Sequence, residues 1–248
     1  MTSGVKAAIG GTVVFLLAVG IELAWMHHQR NESWSASPAA TATPQVDPDD
    51  LVFLKRERPS SLADVKQLDG TTVWMSAGGQ MDYYACVGHH AEYAKPVGTL
   101  LGAEPLAIKD AFEQVAPKSA TFRIPGGDKQ VLLAFTLPSS ADPTKLYAVP
   151  VGYKQGSDYT FFTDSIFFYE DPHELYKHWG PQIWQAVDAH QVVLGMNELQ
   201  VGLSLGQVSK STSQDIGNRM VVYDNMGKPM AVTFVHDKVT AFRPDQGF

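Results

Sequence analysis

The sequence predicts an α+β protein carried on a single N-terminal transmembrane helix. Three observations predict it: a hydrophobic run over residues 7–26, a middle region of short β-branched and aromatic runs, and a C-terminal segment ordered helix, helix, strand, strand, strand. The 248 residues divide into an anchor (1–30), a disordered linker rich in Pro, Ala and Thr (31–50), a β-rich, small-barrel-like domain (51–170), and a helical junction leading into an α+β module (171–248). The formal net charge of −7 argues against a nucleic-acid partner, because phosphate binding needs clustered Lys and Arg.

The run AAIGGTVVFLLAVGIELAWM is about 20 residues, roughly 30 Å as a helix, which matches a bilayer core. Glu22 interrupts it near its C-terminal end, and Trp25 falls at the depth where Trp favours the interface. Lys6 precedes the run and Arg30 follows it, so charge alone barely orients it. A short tail before a large C-terminal part leaves the tail inside and exports the rest. The expectation is an uncleaved signal-anchor: inner membrane, single-pass, with the soluble part in the periplasm or outside the cell. Ala18-Val19-Gly20 also offers a small-residue cleavage site for a signal peptide, and a buried core helix is the third reading. Cys86 is the single cysteine, so no intramolecular disulfide forms and no cysteine follows the run for lipid attachment. The linker has no apolar periodicity and buries too little surface to offset its ordering entropy. The KRER run at 55–58 reads as a solvated face.

In the middle region, strands are expected at 71–77, 121–125, 130–137, 146–152, 158–162 and 165–169, separated by Gly, Pro, Asp and Ser turn signals. One helix is expected near 108–115, because Ile108, Ala111, Phe112 and Val115 recur at i, i+3, i+4 and i+7. Short strands at close spacing suggest a small antiparallel barrel or curled sheet. The glycine pair in SAGGQ (76–80) lacks the spacing of a phosphate loop and reads as a strand-end turn. Cys86, His89 and His90 in DYYACVGHHAEY are zinc-type ligands, with Asp82 and Glu92 close by, and found a metal-dependent or thiol-dependent alternative. Their spacing is not a standard paired-ligand pattern, and the competing reading is a polar loop around a buried free thiol. Trp74, Tyr83, Tyr84 and Tyr93 are the residues for a second alternative, stacking on cell-wall glycan, against the reading that they are core.

DPHELYKHWGPQIWQAVDAHQ opens a helical junction. Asp171 suits an N-cap, Pro172 the first helical position, and Glu174 a capping box. Gly180-Pro181 breaks the helix, and Ile183, Trp184 and Val187 form an apolar face after it. The spacing HExxxH, from His173 to His178, misses the zinc-protease pattern HExxH and rotates the second imidazole away.

In the last segment, Asn197 is the natural cap of a short helix and Gln200 its reciprocal partner. Leu199, Gly202, Leu203 and Gly206 share a face; Gly202 is expected to allow close backbone approach to a sheet, and Gly206 to end the helix. Strands follow at 218–224, 229–235 and 238–243, with a hairpin loop at 225–228 and a tight turn at His236-Asp237.

This ααβββ segment resembles the SmpA/OmlA (BamE-like) family of envelope modules, whose fold is shared with β-lactamase-inhibitory proteins. The likeness rests on Gly195-Met196-Asn197, Gln200-Val201, Leu205-Gly206, Val222-Tyr223-Asp224, Val232-Thr233-Phe234 and Lys238-Val239, and spans residues 181–243. Where members usually carry Pro two residues after the helix-ending Gly, this chain has Val208. The remainder resembles uncharacterised bacterial envelope proteins with the same tail. The resemblance implies an interaction module without catalytic residues or cofactor, bound to an envelope protein partner. Tyr223 and Phe242, on the C-terminal sheet, are the expected anchors.

Overall fold

The computed structural model describes residues 46–78, 80–117 and 129–245, together with Glu22 and Met26. The chain divides into two compact units, Met1–Asp50 and Leu51–Phe248. In the first, Glu22 and Met26 are helical and exposed. The rest of the hydrophobic run, the linker to residue 45 and the strand expected at 121–125 lie outside the described residues. Among the described residues no helix is long and apolar enough to cross a membrane.

The second unit is α+β, rich in strands and poor in helix. Its first sheet contains β1 (Thr72–Met75), β2 (Asp82–Val87), β3 (His90–Thr99), β4 (Pro105–Val115), β5 (Lys129–Thr136), β6 (Tyr147–Gln155), β7 (Asp158–Phe161) and β8 (Phe167–Phe168). The strand order is β3-β2-β6-β5-β4-β1-β8, with β7 also on β6. The expected barrel is therefore an open sheet, with β3 and β8 as its edges. β2 takes only Tyr147 and Ala148 of β6, and β7 takes Gly152 to Gln155. β8 is two residues long and ends at the helical junction. Closely spaced short strands signal a β-rich region; they carry no information on whether its ends meet.

The helix expected at 108–115 is the strand β4. Its register slips between Ile108 and Asp110. Before the bulge Leu106 and Ile108 enter the main core; after it Ala111 does, while Phe112 faces the opposite side. One extra residue thus makes a two-faced strand imitate helical spacing. The segment 165–169 divides between a one-turn helix α2 (Thr163–Ile166) and β8. The expected loop DYYACVGHHAEY is instead strand: it forms β2, the turn at Gly88-His89 and the start of β3.

A short helix α1 (Leu62–Lys66) is closed by a capping box between Ser61 and Asp64 and buries Val65. It packs on one face of the sheet, in a core with Val73, Met75, Leu106, Ile108 and Phe135. The other face of β5 is covered by the hairpin, with Cys86 and Ala91 against Phe112, Leu132, Ala134 and Ala148. Covered on both sides, β5 is buried from Gln130 to Thr136, which is why its sequence reads as a continuous apolar run.

Helices α3 (Pro172–Leu175), α4 (Pro181–Asp188) and α5 (Glu198–Leu205) lead into an antiparallel sheet ordered β12-β11-β10-β9. Its strands are β9 (Val208–Ser211), β10 (Met220–Tyr223), β11 (Met230–Val235) and β12 (Lys238–Pro244), one more than expected. Gly180 separates α3 from α4, as the Gly-Pro signal predicts. α5 carries the expected box: Asn197 Oδ1 accepts from Gln200 N and Gln200 Oε1 from Asn197 N, each at 2.9 Å. Gly206 ends it at φ +84°. Both sheets share a second core, where Trp184, Val187, Leu203, Val221, Tyr223, Val232 and Phe234 meet Phe168 of β8. The close backbone approach expected at Gly202 is absent: a Cβ there would meet only Ala77 Cβ at 3.4 Å. Gly102, in the loop before β4, makes that approach instead, against the carbonyl of Leu203.

Candidate functional site

Cys86, His89 and His90 sit at the hairpin tip and do not converge. Cys86 is buried, and its Sγ donates to Gly88 O at 3.3 Å. Burial pushes its thiol up, so it stays protonated near neutrality and is a poor nucleophile. His89 turns away to Asp110 (Nε2···Oδ2, 2.6 Å) and stacks on Phe112. His90 is exposed and pairs across the hairpin with Val87. Among the described residues no group of three His, Cys, Asp or Glu is placed to hold a metal ion. Cys86 and His89 instead fix the hairpin to the back of the sheet, together with Gln114, whose amide bonds both N and O of Ala91.

The aromatic residues expected to stack on glycan are dispersed. Tyr83 packs edge-on to Phe135 and Tyr147 in the main core. Tyr84 and Tyr93 pack on each other under the hairpin, and Trp74 lies against the second core. They present no common platform.

Tyr223 is not an exposed anchor. Val221 pairs with Val232 and Tyr223 with Met230, which turns Tyr223 toward the helices, 1% exposed. Burial raises its phenol. Phe242 is opposite Val232 on the edge strand β12 and is 43% exposed. From Thr240 to Pro244 every residue of that strand is exposed. Gly195 N donates to Val239 O at 3.0 Å, so the loop before α5 occupies the edge upstream of that stretch.

The junction holds a feature that motif reading missed. His173 Nδ1 faces Asp171 Oδ1 at 2.9 Å and Nε2 faces Asp188 Oδ1 at 3.1 Å. Only an imidazolium donates from both nitrogens. Partial burial opposes that charge, but the bonds to Asp171 and Asp188 outweigh it, and the pKa rises above 6.5. The ring lies 4.1 Å from Trp184, which stacks on Trp179 at 5.0 Å. The cation ties the start of α3 to the end of α4 across the Gly180 break. Its stabilisation is complete below the unfolded pKa of about 6.5 and is lost as pH rises through the raised folded value. The wild type is therefore expected to exceed a His173→Gln variant in thermal midpoint near pH 5, with the gap closing by about pH 8. A gap constant across that range would refute the assignment.

A second feature is a groove of ≈ 460 Å³ lined by Lys55, Glu57, Arg58, Asp64, Gln67 and Tyr169 among others. Residues 55–58 are all exposed, as expected of a solvated face, and three of them also line this groove. Asp164, 106 residues from Arg58, fixes that wall, and nothing local in the sequence signals the pairing.

No family model matches the chain, and neither a curated protein nor a solved structure matches it.

Proposed function

We propose that this chain is a membrane-tethered protein of a bacterial envelope, whose folded part is a non-enzymatic module that binds a protein partner. The N-terminal hydrophobic run holds it to the inner membrane, and the linker sets its reach outside the cytoplasm. The observation that carries the binding reading is the outer edge of β12, unpaired among the described residues and exposed from Thr240 to Pro244 with Phe242 on it. An edge strand offers unpaired backbone groups to an extended segment of a partner, and an aromatic side chain beside it supplies the anchor. The resemblance of residues 181–243 to envelope interaction modules supports the same reading. The absence of convergence at Cys86, His89 and His90 removes the support that the thiol or metal alternative needed.

The test is cross-linking and recovery of partners from solubilised membranes with the full chain. Phe242→Asp is expected to reduce recovery of a reproducible partner about tenfold or more while leaving the circular dichroism spectrum unchanged. Equal recovery from both chains would sink the assignment of β12.

A further inference from the structure

We propose that the groove between residues 55–59 and α1 binds a single carboxylate carried on a small aliphatic body, with Arg58 as its anchor. Its ≈ 460 Å³ falls within the range, roughly 300–1,000 Å³, of small-molecule sites.

Four charged side chains line it, and three are engaged. Lys55 and Glu57 pair at 2.6 Å. Asp64 Oδ2 accepts from Ser60 N, Ser60 Oγ and Ser61 N, each at 2.9 Å. The guanidinium of Arg58 has no partner among the described residues.

The backbone at Arg58 is strained and held. Its φ is +46°, a left-handed conformation that a long side chain seldom adopts. One carboxylate enforces it: Asp164 Oδ1 accepts from Glu57 N at 3.0 Å, and Oδ2 from Arg58 N at 3.1 Å. Tyr169 donates its hydroxyl to the same Oδ1 at 2.8 Å, and Arg56 Nη1 donates to Asp164 O at 2.9 Å. A glycine would fit this turn without strain, yet the position carries the groove's one cation left without a partner among the described residues. A long charged side chain kept in a strained turn is consistent with a role in recognition.

The lining chooses the ligand. A guanidinium fork matches a planar carboxylate. Lys55 and Arg58 balance Glu57 and Asp64, so the walls favour a monoanion over a doubly charged phosphate. Pro59 and the ring of Tyr169, both half-buried, supply apolar surface for a short aliphatic chain over the buried Val65 and Leu68, and Gln67 a further amide donor. The carboxylate belongs either to a free organic acid or to the last residue of a peptide. This site is separate from β12, so either assignment can fail alone.

The experiment titrates the full chain with 4-methylpentanoate, 4-methylpentanamide, N-acetyl-glycyl-leucine and inorganic phosphate, followed by calorimetry and amide NMR shifts. The acid is expected to bind and the amide and phosphate to bind at least about tenfold more weakly. Binding of the peptide as well as the acid identifies a chain terminus as an accepted source; binding of the acid alone identifies a free acid. Arg58→Gln is expected to weaken the acid about tenfold. Arg58→Gly is expected to lose binding and yet raise the thermal midpoint, because glycine relieves the turn. No saturable binding of the acid, equal binding of acid and amide, or undiminished binding by Arg58→Gln would each overturn the proposal.

Discussion

Replacing Phe135 by alanine is expected to destabilise the folded unit by about 3–5 kcal/mol, a large share of the roughly 5–15 kcal/mol that holds a typical domain together. Phe135 is fully buried on β5. Its ring lies 5.9 Å from both Tyr83 and Tyr147. β5 is held by β4 on one side and β6 on the other, so the backbone cannot sink into the space left behind, and the cavity term adds fully to the lost transfer energy. For a unit of this size that is a fall in the thermal midpoint of roughly 10 °C. Urea denaturation checks it; a loss below about 1 kcal/mol would mean that this core is looser than its burial implies.

Gly102→Ala is expected to have a comparable effect by the opposite route. A Cβ at Gly102 would overlap the carbonyl oxygen of Leu203 and lie 2.8 Å from its carbon and 3.0 Å from its Cα. These are backbone atoms of α5, fixed by the helix and by the core beneath it, so neither partner yields cheaply. Overpacking against backbone that cannot yield costs about 3 kcal/mol, the upper end of the usual range. Gly202→Ala supplies the control on the same helix. There the new methyl meets Ala77 Cβ at ordinary contact distance, 3.4 Å, and replacing a mid-helix glycine recovers up to about 1 kcal/mol. Opposite signs for these two substitutions, read from thermal denaturation, are the expected outcome. Two changes of the same sign would misplace the contact between the loop and α5.

Local chemistry was legible in the sequence. The Asn197–Gln200 capping box, the Gly180-Pro181 break and the His236-Asp237 turn all depend on residues within a few positions of one another, and all stand as expected. What failed depended on partners far along the chain. The bulge in β4 is visible only against its register with β5, so the same residues read as a helix. The DYYACVGHHAEY hairpin looked like a polar loop because the apolar wall it covers, Phe112 and Leu132, comes later. Tyr223 looked available because its facing depends on pairing with β11. Of the candidate sites, Phe242 falls on the edge strand that the expected order of C-terminal strands already contained, whereas the Arg58 groove depends on Asp164, more than a hundred positions away.

The β2–β3 hairpin is joined to β6 through two register pairs and the bond from Cys86 N to Leu146 O. Its outer end is fastened by side chains alone, at Gln114, Asp110 and Gln130. Such a flap can peel away while the ladder of β4, β5 and β6 stays intact. The chain's sole sulfhydryl lies beneath it. Alkylation must wait for that peeling, so the molecule carries its own counter of partial opening, one that whole-chain melting would not register.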